Sequence, residues 1–167
     1  YDAMVMQREE DGIRHEVIVF DMARFLGYGE RALGLVSRLT THETAHILMH
    51  KRWPVLAEDV PYRRQLQHLC FDEGFAHLLA CGEEIASFDF SGWVDQYWEP
   101  SLQKLREALA CTDPEKQQEC LIRANAGPYW EKFACITGKL YLAQHRDRLL
   151  SIYSEGPDRF LPELFLP

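Results

Sequence analysis

Residues 42–46 read His-Glu-Thr-Ala-His, and Asp72-Glu73-Gly74-Phe75-Ala76-His77 follows one helix later. On a helix, positions four apart share a face, so His42 and His46 can hold one cation from consecutive turns. Neutral imidazole suits Zn²⁺ at about 2.0–2.1 Å. Glu43 is displaced around the helix from that pair. It can face the open side of the metal and take a proton from a zinc-bound water without being a ligand itself. A hydrolytic zinc needs a third protein ligand and one open position. Glu73 is the candidate, since an antiparallel partner helix would bring it across from His46. His77 shares the face of Glu73 and is expected to orient a zinc-binding histidine or to touch substrate. Asp72 is a further acceptor whose direction the spacing does not fix.

Other residues are weighed against that set. A bare His-Glu-x-x-His also occurs in ordinary helices, where the histidines are half-buried polar residues; the helix-borne Glu-Gly-x-Ala at a sensible distance favours a metal site. His50 continues the four-residue series. One straight helix cannot wrap three side chains tetrahedrally around one ion, so His50 reads as a pocket or surface residue. His15, His68 and His145 have ordinary structural roles by default. A hydrolase also gains from a donor that steadies the developing oxyanion. Tyr129, just after Gly127-Pro128, is the candidate catalytic residue for that role, with Tyr141 and His77 as rivals and a plain helix-anchoring tyrosine as the alternative.

The positioning elements are mostly helices. Val17–Phe20 is the one strand candidate, β-branched and aromatic, and Gly27-Tyr28-Gly29 ends it. From Glu30 the spacing of Leu33, Val36, Leu39, Ala45 and Leu48-Met49 predicts a helix that stops at Trp53-Pro54. Asp59-Val60-Pro61 predicts the next helix start, with Asp59 as cap, running to Cys81-Gly82. Gly74 inside it costs about 1 kcal/mol against Ala. It is either a tolerated defect or a place where another backbone or the metal-bearing helix approaches. Residues 87–92 read as a loop. Trp93–Leu109 reads as a helix that Pro100 can interrupt. Thr112-Asp113-Pro114-Glu115 is a strong helix start, and that helix fades at Asn125-Ala126-Gly127-Pro128. Tyr129–Ser154 reads as one long helix stopped by Gly156-Pro157. The expected class is mainly α (α+β), a single domain over residues 1–167 with a small N-terminal strand region.

Composition narrows the partners. The 167 residues are 47% hydrophobic, enough for one core without disulfide staples. A net charge of -8 and scattered basic residues argue against a nucleic-acid surface. No apolar run is long enough to cross a bilayer. The five cysteines form no Cys-x-x-Cys pair, and Cys70 and Cys135 sit among apolar neighbours as core thiols. A reducing, cytoplasmic compartment is mildly favoured. The start at Tyr1 leaves open an upstream segment or a removed signal.

His42-Glu43-Thr44-Ala45-His46 followed by Glu73-Gly74-Phe75-Ala76 resembles the gluzincin type of zinc metallopeptidase. The stretches Gly127-Pro128-Tyr129, Gly138-Lys139-Leu140-Tyr141-Leu142-Ala143 and Gly156-Pro157-x-x-Phe160 look like bacterial families labelled zinc-dependent peptidases, a likeness spanning most of the chain from Glu30. The resemblance implies a zincin-like fold, Zn²⁺ on His42, His46 and Glu73, Glu43 as general base, and a peptide or protein substrate. Gluzincins usually carry a multi-stranded sheet ahead of the zinc helix, whose edge strand pairs with substrate; here one strand is evident. Two other readings stand beside it. A binding or regulatory module would keep the metal without turnover. A helical di-iron carboxylate protein would use Glu43-x-x-His46, but Glu73-x-x-x-His77 is one residue too long for the matching element.

Overall fold

A computed structural model describes residues 2–57 and 59–165, and of Glu83 and Glu84 only the backbone. The chain is mainly helical, with one two-stranded antiparallel sheet at its start. β1 (Ala3–Glu10) pairs with β2 (Ile13–Phe20) in a register running from Ala3 opposite Phe20 to Glu10 opposite Ile13. The turn is Asp11-Gly12, with φ of 52° and 74°. Positive φ at both central residues is the two-residue hairpin geometry whose twist matches the flanking strands. The single expected strand, Val17–Phe20, is therefore the inner half of β2, and its partner is a full strand. The Asp-Gly pair was the signal for it.

Asp21 caps α1 (Met22–Leu26) by accepting from the Arg24 N–H. α2 (Ala32–Arg52) then runs to Trp53, extended at φ −122° and ψ 81° as Pro54 requires. α3 (Tyr62–Leu79) begins after Pro61, with no side-chain cap. Asp59 does not cap it, because it stands two residues ahead of the capping position. Gly82, at φ +62°, turns the chain away after α3. α4 (Ser91–Leu109) passes through Pro100 unbroken. Burial of Ser101, Leu102, Leu105 and Ala108 along one side holds it against a penalty of about 3 kcal/mol for an interior proline. α5 (Pro114–Asn125) has the expected start, Asp113 accepting from the N–H groups of Glu115 and Lys116.

The long helix expected over Tyr129–Ser154 is three pieces. A 3₁₀ turn at Tyr129–Glu131 precedes α6 (Phe133–Gln144), and a second at Arg146–Arg148 precedes α7 (Leu149–Glu155). The break follows from the polar run Gln144-His145-Arg146-Asp147-Arg148, which offers no apolar residue to hold a helical stripe. His145 Nδ1 pairs with the Tyr141 carbonyl at the helix end, and Arg146 donates to the Ile85 and Phe88 carbonyls. Gly156, at φ +81°, ends α7, and α8 (Pro162–Phe165) closes the described chain.

α3 is the central helix. It packs on α2 at one side and on α5 and α6 at others, burying Leu66, Cys70, Phe71, Phe75 and Leu78. α6 buries Ala134, Cys135, Ile136, Leu140 and Leu142 against it, so Cys70 and Cys135 are core thiols. The two helices cross backbone to backbone. A Cβ at Gly74 would lie 2.7 Å from the Gly138 carbonyl carbon, and one at Gly138 would overlap the Cys70 carbonyl oxygen. Gly74 therefore admits a neighbouring backbone, that of α6 rather than the histidine-bearing α2. Among the described residues, no helix is long and apolar enough to cross a membrane. Gly138→Ala is expected to lower unfolding free energy by about 1–3 kcal/mol or more, read by urea titration; wild-type stability would contradict the backbone contact.

Candidate metal centre

The middle of α2 carries His42, Glu43 and His46 on its buried side, and α3 meets it with Asp72, Glu73 and His77. The pairing is antiparallel: His42 stands beside Glu73 and His77, while His46 and His50 stand beside Asp72. The four-residue spacing gives each helix a ladder, and the antiparallel crossing interleaves the two.

The Nε2 atoms of His42 and His46 are 3.1 Å apart. Glu73 lies opposite, its Oε2 3.7 Å from His42 Nε2 and its Oε1 3.8 Å from His46 Nε2. Ligand atoms bound tetrahedrally to one small divalent cation are roughly 3.3 Å apart, so these three side chains fit one ion. His77 Nε2 is 3.5 Å from Glu73 Oε2 and has no hydrogen-bond partner among the described residues. A buried ring nitrogen left without a partner is costly, and here it is aimed at the cluster. All four side chains are buried or nearly so, as is Glu43 at 7% exposure. Two groups of side chains here stand close enough to hold a metal, His42 with Glu73 and His77, and His46 with His50 and Asp72; His42, His46 and Glu73 meet where the two groups adjoin.

The surrounding residues hold these groups in place. Asp72 Oδ2 is 2.9 Å from His46 Nδ1 and 3.2 Å from His50 Nε2. A carboxylate on the outer nitrogen turns the inner nitrogen of His46 towards the cluster. Asn125, from the end of α5, donates to Glu73 Oε1 at 2.7 Å. On the hairpin side, the Val5 backbone hydrogen-bonds Glu43.

Electrostatics follow from burial. Desolvation, with His46 nearby, pushes the His42 pKa down to about 3. It pushes His77 well below its ordinary value. Both are therefore neutral, the form that binds cations. Burial also pulls on His46, but Asp72, Glu73 and Glu43 outweigh it and raise its pKa to about 9. Asp72 is lowered because His46 and His50 overcome its burial. Burial raises Glu43 and Glu73.

The cluster opens into a cavity of about 1080 Å³, lined by β1, α2, α3, Tyr129, Trp130 and Lys139. Compared with known proteins, the chain matches no family model, no curated protein and no solved structure.

All six residues singled out from the sequence line this cavity: His42, Glu43, His46, Glu73, His77 and Tyr129. Tyr129 sets its ring edge-on to His77, 5.3 Å between centroids, and its hydroxyl accepts from Lys139 at 2.9 Å. Tyr141 is not in the cavity; its ring packs on Phe160 and His145. His50 borders the cavity, within its reading as a pocket or surface residue, and it also pairs with Asp72, which the spacing did not indicate. Asn125 and Lys139 had no such signal, since only the fold brings them near. Asp72→Asn is expected to weaken zinc binding about 10–100-fold with an unchanged circular dichroism spectrum, measured by calorimetric titration. Wild-type affinity would contradict the role of Asp72 in orienting His46.

Proposed function

We propose that the protein is a zinc-dependent peptidase in which His42, His46 and Glu73 hold the metal and Glu43 is the general base. The observation that carries this reading is the place of Glu43. It is buried in the same cavity as the three candidate ligands, yet it belongs neither to the group of His42, Glu73 and His77 nor to that of His46, His50 and Asp72. Bound there, zinc would act as a Lewis acid on the scissile carbonyl and bring the pKa of a water towards about 7. Glu43 would accept a proton from the attacking water and return it to the leaving amine, so that water is added as the peptide C–N bond breaks. Burial raises the Glu43 pKa, which strengthens it as a base. The Tyr129 hydroxyl, at the same cavity wall, is the proposed donor to the developing oxyanion.

The hairpin supports a peptide as substrate. In a two-residue hairpin the closing pair, Glu10 and Ile13, exchanges hydrogen bonds, and the pattern then alternates. Ala3 and Val5 therefore turn their N–H and C=O groups away from β2. Both residues line the cavity, and the Val5 backbone reaches Glu43. Apart from the Val5 group that Glu43 takes, that edge suits an extended peptide added as a further strand.

His77 favours a second reading. Its partnerless Nε2 faces Glu73, and as a fourth ligand it would close the site, as in structural zinc centres. The protein would then be a metal-holding regulatory module. His77→Leu separates the two: zinc affinity near wild type fits the open peptidase site, whereas loss of stoichiometric zinc fits the closed one.

Glu43→Gln is expected to keep stoichiometric zinc and lower hydrolysis of a fluorogenic peptide library about 10²–10⁴-fold. Wild-type turnover in that variant would refute the assigned base. Absence of any cleavage by the zinc-loaded wild type would refute the peptidase reading.

A further inference from the structure

Lys139 sits in the middle of α6 and is 3% exposed, yet it lines the cavity. Its Nζ donates to the Tyr129 hydroxyl at 2.9 Å and lies 4.5 Å from the centre of the Trp93 ring. These contacts offset part of the cost of burying an ammonium. The Cys81 side chain also hydrogen-bonds Lys139, and among the described residues no carboxylate pairs with it. Among the described residues, Lys139 forms no ion pair, and the same holds for Arg38 and Lys132, which line the cavity beside it. A chain of net charge -8 thus brings three cations that form no ion pair among the described residues to the cavity that also holds Glu43, Asp72 and Glu73, and of the three only Lys139 is buried. A buried charge without a counter-ion is costly, and a ligand anion relieves that cost.

Lys139 lies close to the candidate metal centre. One contact series joins them: Glu73 to His77, the His77 ring to the Tyr129 ring, and the Tyr129 hydroxyl to Lys139. Trp130 stands next to Tyr129, stacked on Tyr97 at 3.9 Å and an interplanar angle of 7°. This offers a flat apolar surface beside the amine. Burial lowers the Lys139 pKa, with Arg38 adding to the effect, as expected of an ammonium short of negative partners.

We propose that Lys139 is a substrate-binding residue that holds a carboxylate, so that the cavity takes peptides with an anionic group close to the bond at the metal centre. A C-terminal carboxylate on a residue whose apolar side chain lies against Trp93 and Trp130 meets each of these features. The inference deepens the peptidase reading and rests on it for the class of substrate. An acidic side chain offers the same chemistry from a second source.

The test is calorimetric titration of zinc-loaded Glu43→Gln protein, which removes turnover, with N-acetyl-glycyl-phenylalanine, its C-terminal amide, and N-acetyl-glycyl-glutamic acid α-amide. The free acid is expected to bind about tenfold or more tightly than the phenylalanine amide. Lys139→Met in the same background should abolish that preference while leaving zinc content unchanged. The preference should also persist in chelator-stripped Glu43→Gln protein, which needs no change at Lys139 and rules out the metal as the carboxylate's partner. A glutamate amide that binds like the free acid supports the carboxylate site and assigns its source to a side chain. Equal binding of acid and phenylalanine amide, no binding of either, a preference surviving Lys139→Met, or a preference lost with the metal would each overturn the proposal. A retained preference with no cleavage by the wild type would sink the peptidase reading and leave the carboxylate site standing.

Discussion

The fold is organised around the burial of polar and ionisable groups between α2 and α3. Glu43, Asp72 and Glu73 lie in that seam with His42, His46 and His77. Each ion taken out of water costs several kcal/mol unless it is paired and hydrogen-bonded. The pairing is divided among several elements. Asp72 is shared by His46 and His50, Glu73 is held by Asn125 of α5, and Glu43 is met by the backbone of β1. The hairpin and the end of α5 are thus drawn to the seam by the charges they satisfy. The same groups could hold a metal.

That seam needs a rigid floor, and the crossing of α3 and α6 provides it. Gly74 directly follows Glu73, and its Cα faces Gly138 where no side chain fits between. On the other side, Phe71 packs against Phe75, Phe160 and Trp53. Gln67, also on α3, donates to the Phe160 carbonyl at 2.8 Å. The last described segment therefore braces the helix that carries Glu73. Groups held by packing and outer hydrogen bonds are placed more precisely than groups on loops. The same α6 that fits against Gly74 presents Lys139 to the cavity one residue after Gly138, so a single helix crossing positions both Glu73 and Lys139.

What the sequence made legible was local. The four-residue spacing of His42 and His46, the cap at Asp113, the stop at Trp53-Pro54 and the apolar setting of Cys70 and Cys135 are all short-range patterns, and the structure has each; the helix expected to reach Gly82 ends at Leu79. Glu73 required one long-range step, the antiparallel return of α3, which the Trp53-Pro54 break made readable. β1 was missed although Asp11-Gly12 marked its turn, because its alternation is diluted by Gln7, Arg8, Glu9 and Glu10. The continuous helix over Tyr129–Ser154 was too long because an apolar spacing can be followed across His145 even where the local residues cannot sustain it. Asn125 and Lys139 reach the cavity only through packing, 52 residues from Glu73 in one case and through the Gly74–Gly138 crossing in the other. No pattern along the chain encodes such meetings.

The central claim is that one divalent cation belongs among His42, His46 and Glu73. X-ray diffraction from zinc-grown crystals, recorded on both sides of the zinc absorption edge, tests it directly. The account predicts one strong anomalous peak within about 2.0–2.2 Å of the two Nε2 atoms and a Glu73 carboxylate oxygen. Crystals with no peak there, or with the metal held instead by His50 and Asp72, would contradict it.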